Sequence, residues 1–230
     1  MQLSIIIPTL NEARHIGRTL RHIRQHGSGQ VAELLVVDGG SADATVRLAR
    51  EAGATVLHAP RKGRAAQLDY GARQCSGDIL YFVHADTLPP STFSQDIEQA
   101  LAQGWQMGNF QYDFDSPRLL LRCNAYFTRY RWFFTQGGDR TFFIRRDTYF
   151  ALGGYDPALP IMEEYDFLRR AQRAGYDFAM LPGKCLVSAR KYEHNSWLRV
   201  QFANLLVYNC WAWGLASPAT LKALYGRVLS

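Results

Sequence analysis

The alternation of short apolar runs with helical patterns near the start of the chain constrains the fold more than any other sequence feature. Between the runs, apolar residues recur at helical spacing, as at Ile16, Leu20 and Ile23. The runs themselves are typical of buried strands and cover Leu3–Ile7, Glu33–Val37, Ala54–Leu57 and Asp78–Val83. This β-α-β-α-β-α-β order predicts an α/β fold with a mostly parallel, Rossmann-like sheet flanked by helices.

The chain after Pro89 follows a less regular pattern that ends in a helical tail. Capping chemistry predicts that Asn11 caps the first helix, Ser41 or Asp43 opens the second, and Ser91 caps the fourth. The later helices are predicted at Ser91–Gln103, Leu119–Phe134 and Met162–Ala174, with two more beginning near Ser196 and Ser217. The later strands are predicted at Met107–Phe114 and Thr141–Ile144, with short ones near Phe178 and Val187.

Polar residues gather where the predicted strands end, as at Thr9, Asp38 and Asp86. Ligands of parallel sheets bind beyond the carboxyl ends of the strands, so a polar crevice is expected at this edge. In His84-Ala85-Asp86, a carboxylate follows an apolar strand, where it is costly unless it is paired or ligates a cation. A divalent ion such as Mg²⁺ or Mn²⁺ would use Asp86 together with substrate phosphates, while the alternative is an aspartate that shapes a turn.

Three further segments carry candidate chemistry, each beside a structural alternative. Asp38-Gly39-Gly40-Ser41 permits close backbone approach to a ligand, or is a simple strand-to-helix turn. Arg61-Lys62-Gly63-Arg64 precedes a helix and forms either an anion site or a solvated basic loop. Glu163, Glu164 and Asp166 crowd the start of another helix, where they stabilise its dipole or supply a general base.

The balance of charge and cysteine usage narrows the partners and the compartment. The net charge of +6, with a pI near 9.2, suits an anionic ligand or membrane surface. The basic residues are scattered, so we expect a phosphate-bearing small molecule and no nucleic acid. The four cysteines show no C-x-x-C spacing and no signal peptide is recognisable, so a cytoplasmic location is expected. The apolar stretch Phe202–Ala216 is too interrupted to span a bilayer and predicts a buried or interfacial helix.

Common nucleotide motifs do not occur in the sequence. No G-x-G-x-x-G follows the first strand, which disfavours a dinucleotide dehydrogenase, and no G-x-x-x-x-G-K-[ST] indicates a P-loop NTPase. No G-x-S-x-G elbow occurs either.

Taken in order, the segments resemble the family 2 glycosyltransferases of GT-A fold. The likeness looks closest to a short bacterial subgroup of selenium/radical-enzyme-associated transferases. It rests on Ser4 to Glu12, Val36 to Asp43, Gly63 to Leu80, His84 to Thr87, Gly153-Gly154-Tyr155, Glu163-Glu164 and Ser188 to Lys191. The resemblance implies one domain over residues 1–230, with a nucleotide-binding half over 1–90, an acceptor and catalytic half over 91–195, and C-terminal helices over 196–230.

The resemblance also implies roles for individual residues. Asp86, with His84 beside it, would hold Mg²⁺ or Mn²⁺, and Glu164 matches the catalytic acid, with Glu163 or Asp166 as alternatives. Arg190 would meet the leaving diphosphate. The full set expected to bind a nucleotide sugar such as a UDP-sugar is Pro8, Thr9, Asn11, Glu12, Asp38, Gly40, Ser41, Gly63, Arg64, Asp69, Ala85 and Arg190.

Two departures from the family pattern keep other functions open. His84 stands where an aspartate usually begins the metal motif, and Glu163-Glu164 replaces a Glu-Asp pair. The expected activity is inverting transfer of a sugar to an unknown acceptor hydroxyl. The alternatives are a non-catalytic nucleotide-sugar binder and a sugar-phosphate nucleotidyltransferase, and the C-terminal helices are expected to permit peripheral contact with the inner membrane face.

Overall fold

A computed structural model describes residues 1–27, 29–130 and 140–229. The first half of the chain holds β1 (Leu3–Thr9), α1 (Ile16–His26), β2 (Val31–Asp38), α2 (Thr45–Glu51), β3 (Thr55–His58), α3 (Arg64–Gln74), β4 (Ile79–Phe82) and β5 (Thr87–Leu88). The second half holds α4 (Phe93–Ala102), β6 (Met107–Phe114), α5 (Leu119–Phe127), β7 (Phe142–Arg145), α6 (Arg146–Ala151), α7 (Glu163–Arg173), β8 (Ala179–Val187), α8 (Lys191–His194), α9 (Trp197–Ala212) and α10 (Pro218–Leu229).

The described strands form one eight-stranded sheet in the order β3-β2-β1-β4-β7-β6-β8-β5. β1 pairs in parallel with β2 and β4, so that Ile5 lies opposite Leu34 and Tyr81, and β2 pairs in parallel with β3. β7 is antiparallel to both β4 and β6, β8 is parallel to β6, and β5 is antiparallel to β8. Of the described strands, all but β5 and β7 therefore share one direction, which confirms the mostly parallel sheet.

Helices cover both faces of the sheet because alternate residues of each strand feed two separate cores. On one face, Ile5 and Ile7 of β1 pack in a cluster that includes Phe93 of α4. On the other face, Ile6 packs in a cluster with Leu68 of α3 and Phe167 of α7. The flanking helices predicted from the sequence are thus confirmed.

The C-terminal helices lie against α7, the helix that begins at Glu163. The Trp211 ring of α9 packs at a tilt against the Tyr165 ring of α7, and the guanidinium of Arg169 lies 3.7 Å from the Trp211 ring centroid. Met162, Val207 and Leu221 form a small buried cluster at this junction. No helix in the described ranges is both long and apolar enough to cross a bilayer.

Two of the predicted helix caps are wrong. α1 begins only at Ile16 after His15, and Asn11 instead adopts a left-handed backbone with φ of 57°. α4 begins at Phe93 after Thr92, so Ser91 is not the cap. Asp43 does act near the start of α2, where its Oδ1 accepts a hydrogen bond from the Thr45 amide at 2.9 Å.

Several boundaries also differ from the sequence prediction. The short strands expected near Phe178 and Val187 are one strand, β8, whose register against β6 shifts beside Phe110 and Gln111. α5 ends at Phe127 rather than Phe134, and residues 131–134 lie outside the described ranges. The short elements β5, α6 and α8 were not predicted, because two to six residues carry too little periodicity.

Candidate functional site

The carboxyl edge of the sheet, where β1, β2 and β4 end, gathers the polar residues predicted from the sequence. Asp38 ends β2 opposite Thr9 of β1, and its side chain is 2% exposed. It accepts hydrogen bonds from the amides of Gly40 and Ser41 at 2.9 and 3.0 Å and from the Ser41 hydroxyl at 2.5 Å. Burial acts to raise the pKa of Asp38, but these donors outweigh it and hold that pKa below its ordinary value. Asp38 is therefore a carboxylate that shapes the loop after β2.

Asn11 links the loops that follow β1 and β2. Its backbone N–H donates to Ser41 Oγ at 2.9 Å, and its side-chain Oδ1 accepts from the backbone N–H of Ala42 at 2.9 Å. The next amide, that of Glu12, donates to Thr45 Oγ1 at 2.7 Å. These bonds hold Asn11 in its left-handed conformation, which asparagine tolerates better than most residues. The loop thereby presents the Glu12 side chain at the edge.

Arg190 brings together two of the predicted acidic residues from distant parts of the chain. Its Nη1 and Nη2 donate to the two Glu12 carboxylate oxygens at 2.8 and 2.6 Å, and its Nε lies 3.0 Å from Asp86 Oδ2. We call Glu12, Asp86 and Arg190 the Arg190 cluster. The bidentate geometry makes it a well-defined ion-pair network.

The Arg190 cluster provides a direct test of whether the chain suits a divalent ion. Two carboxylates already face a positive charge, and their oxygen atoms are the donors that Mg²⁺ and Mn²⁺ prefer. Among the described residues, no group of three or more His, Cys, Asp or Glu side chains is arranged to hold a metal. Glu12 and Asp86 thus fit such an ion if substrate phosphate oxygens complete its coordination.

A second cluster, named here the Arg64 cluster, comprises Arg64, Glu163 and Glu164. Arg64 Nε lies 2.5 Å from Glu163 Oε1, and its Nη2 lies 3.5 Å from Glu164 Oε1. Burial acts to lower the pKa of Arg64, but the two carboxylates outweigh it and raise that pKa above its ordinary value. Glu163 is 2% exposed, and its Oε2 is a buried atom without a hydrogen-bond partner among the described residues. Glu164 is more accessible, at 14% exposure.

His84 adjoins the Arg64 cluster. Its Nε2 lies 4.0 Å from Glu164 Oε1. Only Ala85 separates His84 from Asp86 in the chain, and two residues span at most about 7 Å. The Arg64 cluster and the Arg190 cluster therefore adjoin at the end of β4.

The backbone that carries Glu163 and Glu164 is held in an unusual conformation. Met162, the residue before α7, has φ of 68°. Left-handed backbone in a residue other than glycine, asparagine or aspartate is uncommon, costs about 1–3 kcal/mol, and clusters at functional sites. Among described residues other than glycine, Asn11 and Met162 have positive φ, and each stands beside one of the two clusters.

Asp69 and Asp166 fix the neighbouring loop instead of joining either cluster. Buried Asp69 binds Arg73 at 2.7 Å and accepts from the Tyr149 hydroxyl at 3.2 Å. Asp166 accepts from Arg170 Nε at 2.9 Å, and Arg170 Nη2 donates to the Gly154 carbonyl at 2.7 Å. These contacts indicate that both acids stabilise the loop at residues 153–155.

Sequence reasoning did not single out two buried side chains near the site. Gln67 of α3 donates to the carbonyls of Thr9 and Val37 at 2.8 and 2.7 Å, which joins β1, β2 and α3. Tyr155 is buried, and this burial, together with the charge of Glu164, raises its pKa well above the ordinary value, so the phenol stays neutral. In the sequence, the signal for Gln67 was a polar residue on an otherwise apolar helix face. The signal for Tyr155 was its place directly after a glycine pair.

Cavities occur at both edges of the sheet. A small one beside Glu164, of about 10 Å³, has room for about one water and is lined by Asn109, Arg140 and Tyr155 among others. A larger one, of about 520 Å³, lies at the opposite edge around Asp78, Arg145 and Arg146. The predicted site residues thus lie away from the larger cavity, in loops at the carboxyl edge and in α3 and α7.

Comparison with known proteins identifies the family of the chain. The family model described as "Glycosyl transferase family 2" matches residues 4–156. A glucosyl-3-phosphoglycerate synthase from Mycolicibacterium smegmatis is 33% identical over 96 residues, which cover 38% of this chain and 32% of that protein. A dolichol-phosphate mannosyltransferase from Pyrococcus furiosus is 28% identical over 109 residues, which cover 45% of this chain and 31% of that protein. The chain thus aligns with about a third of each of these curated relatives.

Solved structures extend the likeness over most of the chain. A mannosyltransferase from Pyrobaculum calidifontis, in complex with GDP-mannose and Mn²⁺, superposes with a TM-score of 0.71, covers 99% of this chain and 69% of that one, and is 20% identical. The glucosyl-3-phosphoglycerate synthase of Mycobacterium tuberculosis, in complex with Mg²⁺ and UDP, superposes with a TM-score of 0.63. The match covers 89% of this chain and 78% of that one, with 22% identity. At these identities the likeness establishes the fold.

Proposed function

The chain belongs to glycosyl transferase family 2 and has the GT-A fold, and we propose that it moves a sugar from a nucleoside-diphosphate sugar to an acceptor hydroxyl with inversion. The observation that carries the proposal is the adjacency, at the carboxyl edge of the sheet, of two clusters that each combine one arginine with two carboxylates. The Arg190 cluster suits a diphosphate with its cation, and the Arg64 cluster offers an accessible carboxylate beside it.

In this proposal, Glu164 is the general base. Glu163 is almost fully buried against Arg64, and Asp166 is bound to Arg170, which holds the neighbouring loop. Glu164 is more accessible than Glu163 and is not bound to Arg170, so it is the carboxylate best placed to act as the base. It takes the proton of the acceptor hydroxyl, whose oxygen attacks the anomeric carbon from the face opposite the diphosphate. The bond between that carbon and the diphosphate oxygen breaks, and the diphosphate leaves with the electron pair.

The leaving diphosphate is bound at the Arg190 cluster. Arg190 donates to its oxygens once it releases Asp86 and Glu12, which are the residues that would hold Mg²⁺ or Mn²⁺. Such an ion, when bound, neutralises charge that develops on the diphosphate. The loop residues Pro8, Thr9, Asn11, Asp38, Gly40 and Ser41 shape the pocket for the base and ribose, and Gly63 leaves the backbone open to the donor. Ala85, also expected to bind the donor, is instead buried, and its carbonyl accepts a hydrogen bond from Thr19 Oγ1 at 2.7 Å.

The donor and the organisation of the chain follow from the same proposal. Relatives of known structure bind UDP or GDP-mannose, so a UDP- or GDP-sugar is the donor class proposed for this chain. Residues 1–90 bind the nucleotide, residues 91–195 supply the acceptor side and the base, and residues 196–230 add the C-terminal helices. The proposed location is the cytoplasm, with peripheral contact at the inner face of the membrane.

The proposal is tested by donor hydrolysis, in which water replaces the unidentified acceptor and nucleotide release is measured with Mn²⁺ present. Glu164→Gln is expected to lower turnover by about 10²–10⁴-fold with donor affinity kept within about threefold, because it removes a base and not a binding group. Asp86→Ala is expected to abolish turnover. Glu51→Gln changes an exposed acid on α2 and serves as the matched control.

Full turnover by Asp86→Ala with Mn²⁺ present contradicts the site assignment. Binding of nucleotide sugar without hydrolysis or transfer supports the alternative of a non-catalytic binder. Release of pyrophosphate from a nucleoside triphosphate supports a nucleotidyltransferase, although the loop after β1 lacks the glycine-rich signature and lysine of that class.

A further inference from the structure

Exposed apolar side chains are concentrated in two segments near the C-terminal helices. The described chain exposes eleven large apolar residues, and ten of them lie within residues 119–130 or 198–215, Leu10 being the exception. They are Leu119, Leu120, Tyr126, Phe127, Tyr130, Leu198, Phe202, Leu205, Trp213 and Leu215. Scattered exposed leucines are ordinary on a protein surface, but a concentration of this kind marks an interaction site.

The same two segments contain six basic residues and no acidic residue. Residues 116–130 contain Arg118, Arg122 and Arg129 without any aspartate or glutamate. Residues 196–229 contain Arg199, Lys222 and Arg227, again without an acid. Their six positive charges equal the net charge of +6, so the remaining chain balances 20 basic against 20 acidic residues.

The two segments meet in space at Tyr192 of α8. Arg118, which precedes α5, donates from Nη1 to the Tyr192 carbonyl at 2.7 Å. Gln201 of α9 donates from Nε2 to the Tyr192 hydroxyl at 3.3 Å. Tyr192 thus joins the start of α5 to the first half of α9 and places these parts of the two segments on one side of the molecule.

α9 has two faces of different character. Val200, Ala203 and Val207 are buried on the face that packs toward the protein. Leu198, Phe202 and Leu205 recur at helical spacing on the other face, where they are 72%, 59% and 63% exposed. Trp213 and Leu215 continue the exposed face beyond the helix, whereas Trp211, which lies in the stretch predicted to be a buried or interfacial helix, packs against Tyr165 of α7.

We propose that this side of the molecule, named here the interfacial surface, docks on the headgroup region of an anionic phospholipid bilayer. The interfacial surface comprises the exposed apolar residues and the six basic residues of residues 116–130 and 196–229. Apolar side chains that enter the acyl boundary, with basic residues around them, are the pattern of helices that lie in a membrane interface. The proposal does not depend on the transfer activity.

Charge and chemistry disfavour two other occupants. A second copy of the chain would bring six positive charges against six, and residues 116–130 and 196–229 contain no acid to pair them. A nucleic acid would match the charge, but it offers no apolar phase for five exposed leucines, Leu119, Leu120, Leu198, Leu205 and Leu215. An anionic bilayer satisfies both features at once.

Vesicle flotation of the full chain tests the proposal. We expect co-flotation with vesicles of equal parts phosphatidylcholine and phosphatidylglycerol, and at least tenfold weaker partitioning to phosphatidylcholine alone. Phe202→Ser/Leu205→Ser and Arg122→Gln/Lys222→Gln are each expected to weaken partitioning to the anionic vesicles about tenfold or more. Leu10→Ser and Arg47→Gln/Arg50→Gln change an exposed leucine and two basic residues outside the surface and are expected to leave partitioning unchanged.

Thermal unfolding of each variant is compared with the parent, so that a folding defect is separated from a loss of binding. The proposal is overturned if the parent chain does not float with anionic vesicles, or if the control variants lose binding as much as the surface variants do. It is also overturned if sedimentation equilibrium shows a dimer that Phe202→Ser/Leu205→Ser dissociates while vesicle binding is unaffected.

Discussion

At the scale of the residue, Arg190 holds one guanidinium between two carboxylates that the sequence separates widely. Glu12 follows β1, Asp86 follows β4, and Arg190 follows β8. All three contacts are at charge-assisted hydrogen-bond distance. A divalent ion that bound Glu12 and Asp86 would compete with Arg190 for the same oxygen atoms, so metal affinity and donor turnover place opposite demands on this side chain.

Arg190→Ala is expected to tighten binding of Mn²⁺ alone by about three- to tenfold, because it removes the competing cation from Glu12 and Asp86. The same change is expected to lower donor hydrolysis by about tenfold or more, since the leaving diphosphate loses a donor. Manganese binding is measured by electron paramagnetic resonance without nucleotide. Arg47→Ala, which breaks an exposed ion pair on α2, is the control. Weaker or unchanged Mn²⁺ binding by Arg190→Ala would show that the guanidinium and the ion do not share these ligands.

Individual site residues were predictable, whereas their pairings were not. Glu12, Asp86 and Arg64 were candidates because they follow strands or precede a helix, and Arg190 was a candidate through the family resemblance alone. Glu12 and Arg190 are 178 positions apart, so nothing local to either indicates their contact. The left-handed backbone of Met162 was equally hidden, because methionine carries no sequence preference for that conformation.

At the scale of the element, α3 is seated on β1 and β2 by a glycine. A Cβ atom at Gly71 would lie 2.7 Å from Ile6 Cγ2 and 2.8 Å from Val37 Cγ2, closer than carbon atoms approach in proteins. These neighbours are branched residues in the middle of buried strands, so they have little freedom to move. The close approach keeps α3 in the position from which Arg64 reaches Glu163.

Gly71→Ala is expected to destabilise the protein by about 1–3 kcal/mol through overpacking, despite the better helix propensity of alanine. Gly226→Ala, in α10 where no atom lies within 4 Å of the added Cβ, is expected to stabilise it by about 0.5–1 kcal/mol. Both free energies of unfolding are measured by urea denaturation. A Gly71→Ala protein as stable as the parent would mean that α3 can shift away from the sheet without cost.

Strands were predicted better than helix starts, for a physical reason. β1, β2 and β4 are continuous apolar runs, and burial on both faces of a parallel sheet requires that composition. Caps depend on single hydrogen bonds. Asn11 and Ser91 have the right chemistry for caps, but Asn11 bonds across to the loop after β2 instead.

At the scale of the whole molecule, the sheet and its flanking helices support a ligand site built from four separate loops. Such a site is completed by the ligand, which binds the folded chain and not the unfolded one. Ligand binding is therefore expected to appear as global stabilisation, even though the contacts lie at one edge of the sheet.

UDP or GDP with Mn²⁺, present at about 100 times its dissociation constant, is expected to raise the melting temperature by about 5–11 °C. This range follows from about 2.7 kcal/mol of added stability in a protein of this size. A thermal-shift series measures each nucleoside diphosphate with and without Mn²⁺. Uridine or guanosine without phosphates, and Mn²⁺ alone, are the controls. Equal shifts from nucleoside and nucleoside diphosphate would contradict a diphosphate site at Glu12, Asp86 and Arg190.

The global architecture followed from the sequence more fully than the surface did. Alternating apolar patterns in the first half predicted the sheet, and the ordered motifs predicted the family. The interfacial surface was only partly visible, because residues 196–229 are apolar on nearly every side of their helices. Packing against α7 and against the core that holds Val200 determines which side of α9 is buried, and these contacts join residues far apart in the chain.

A single residue, Lys191, separates Arg190 in the ion-pair network from Tyr192 at the junction of α5, α8 and α9. If docking displaces Tyr192, the displacement would act two positions from Arg190, whose side chain holds Glu12 and Asp86. In thermodynamic terms, attachment to a surface and occupancy by a donor would then be linked equilibria. Linkage of this kind is reciprocal, so a donor that strengthens attachment is itself retained more tightly by the attached protein, by the same factor.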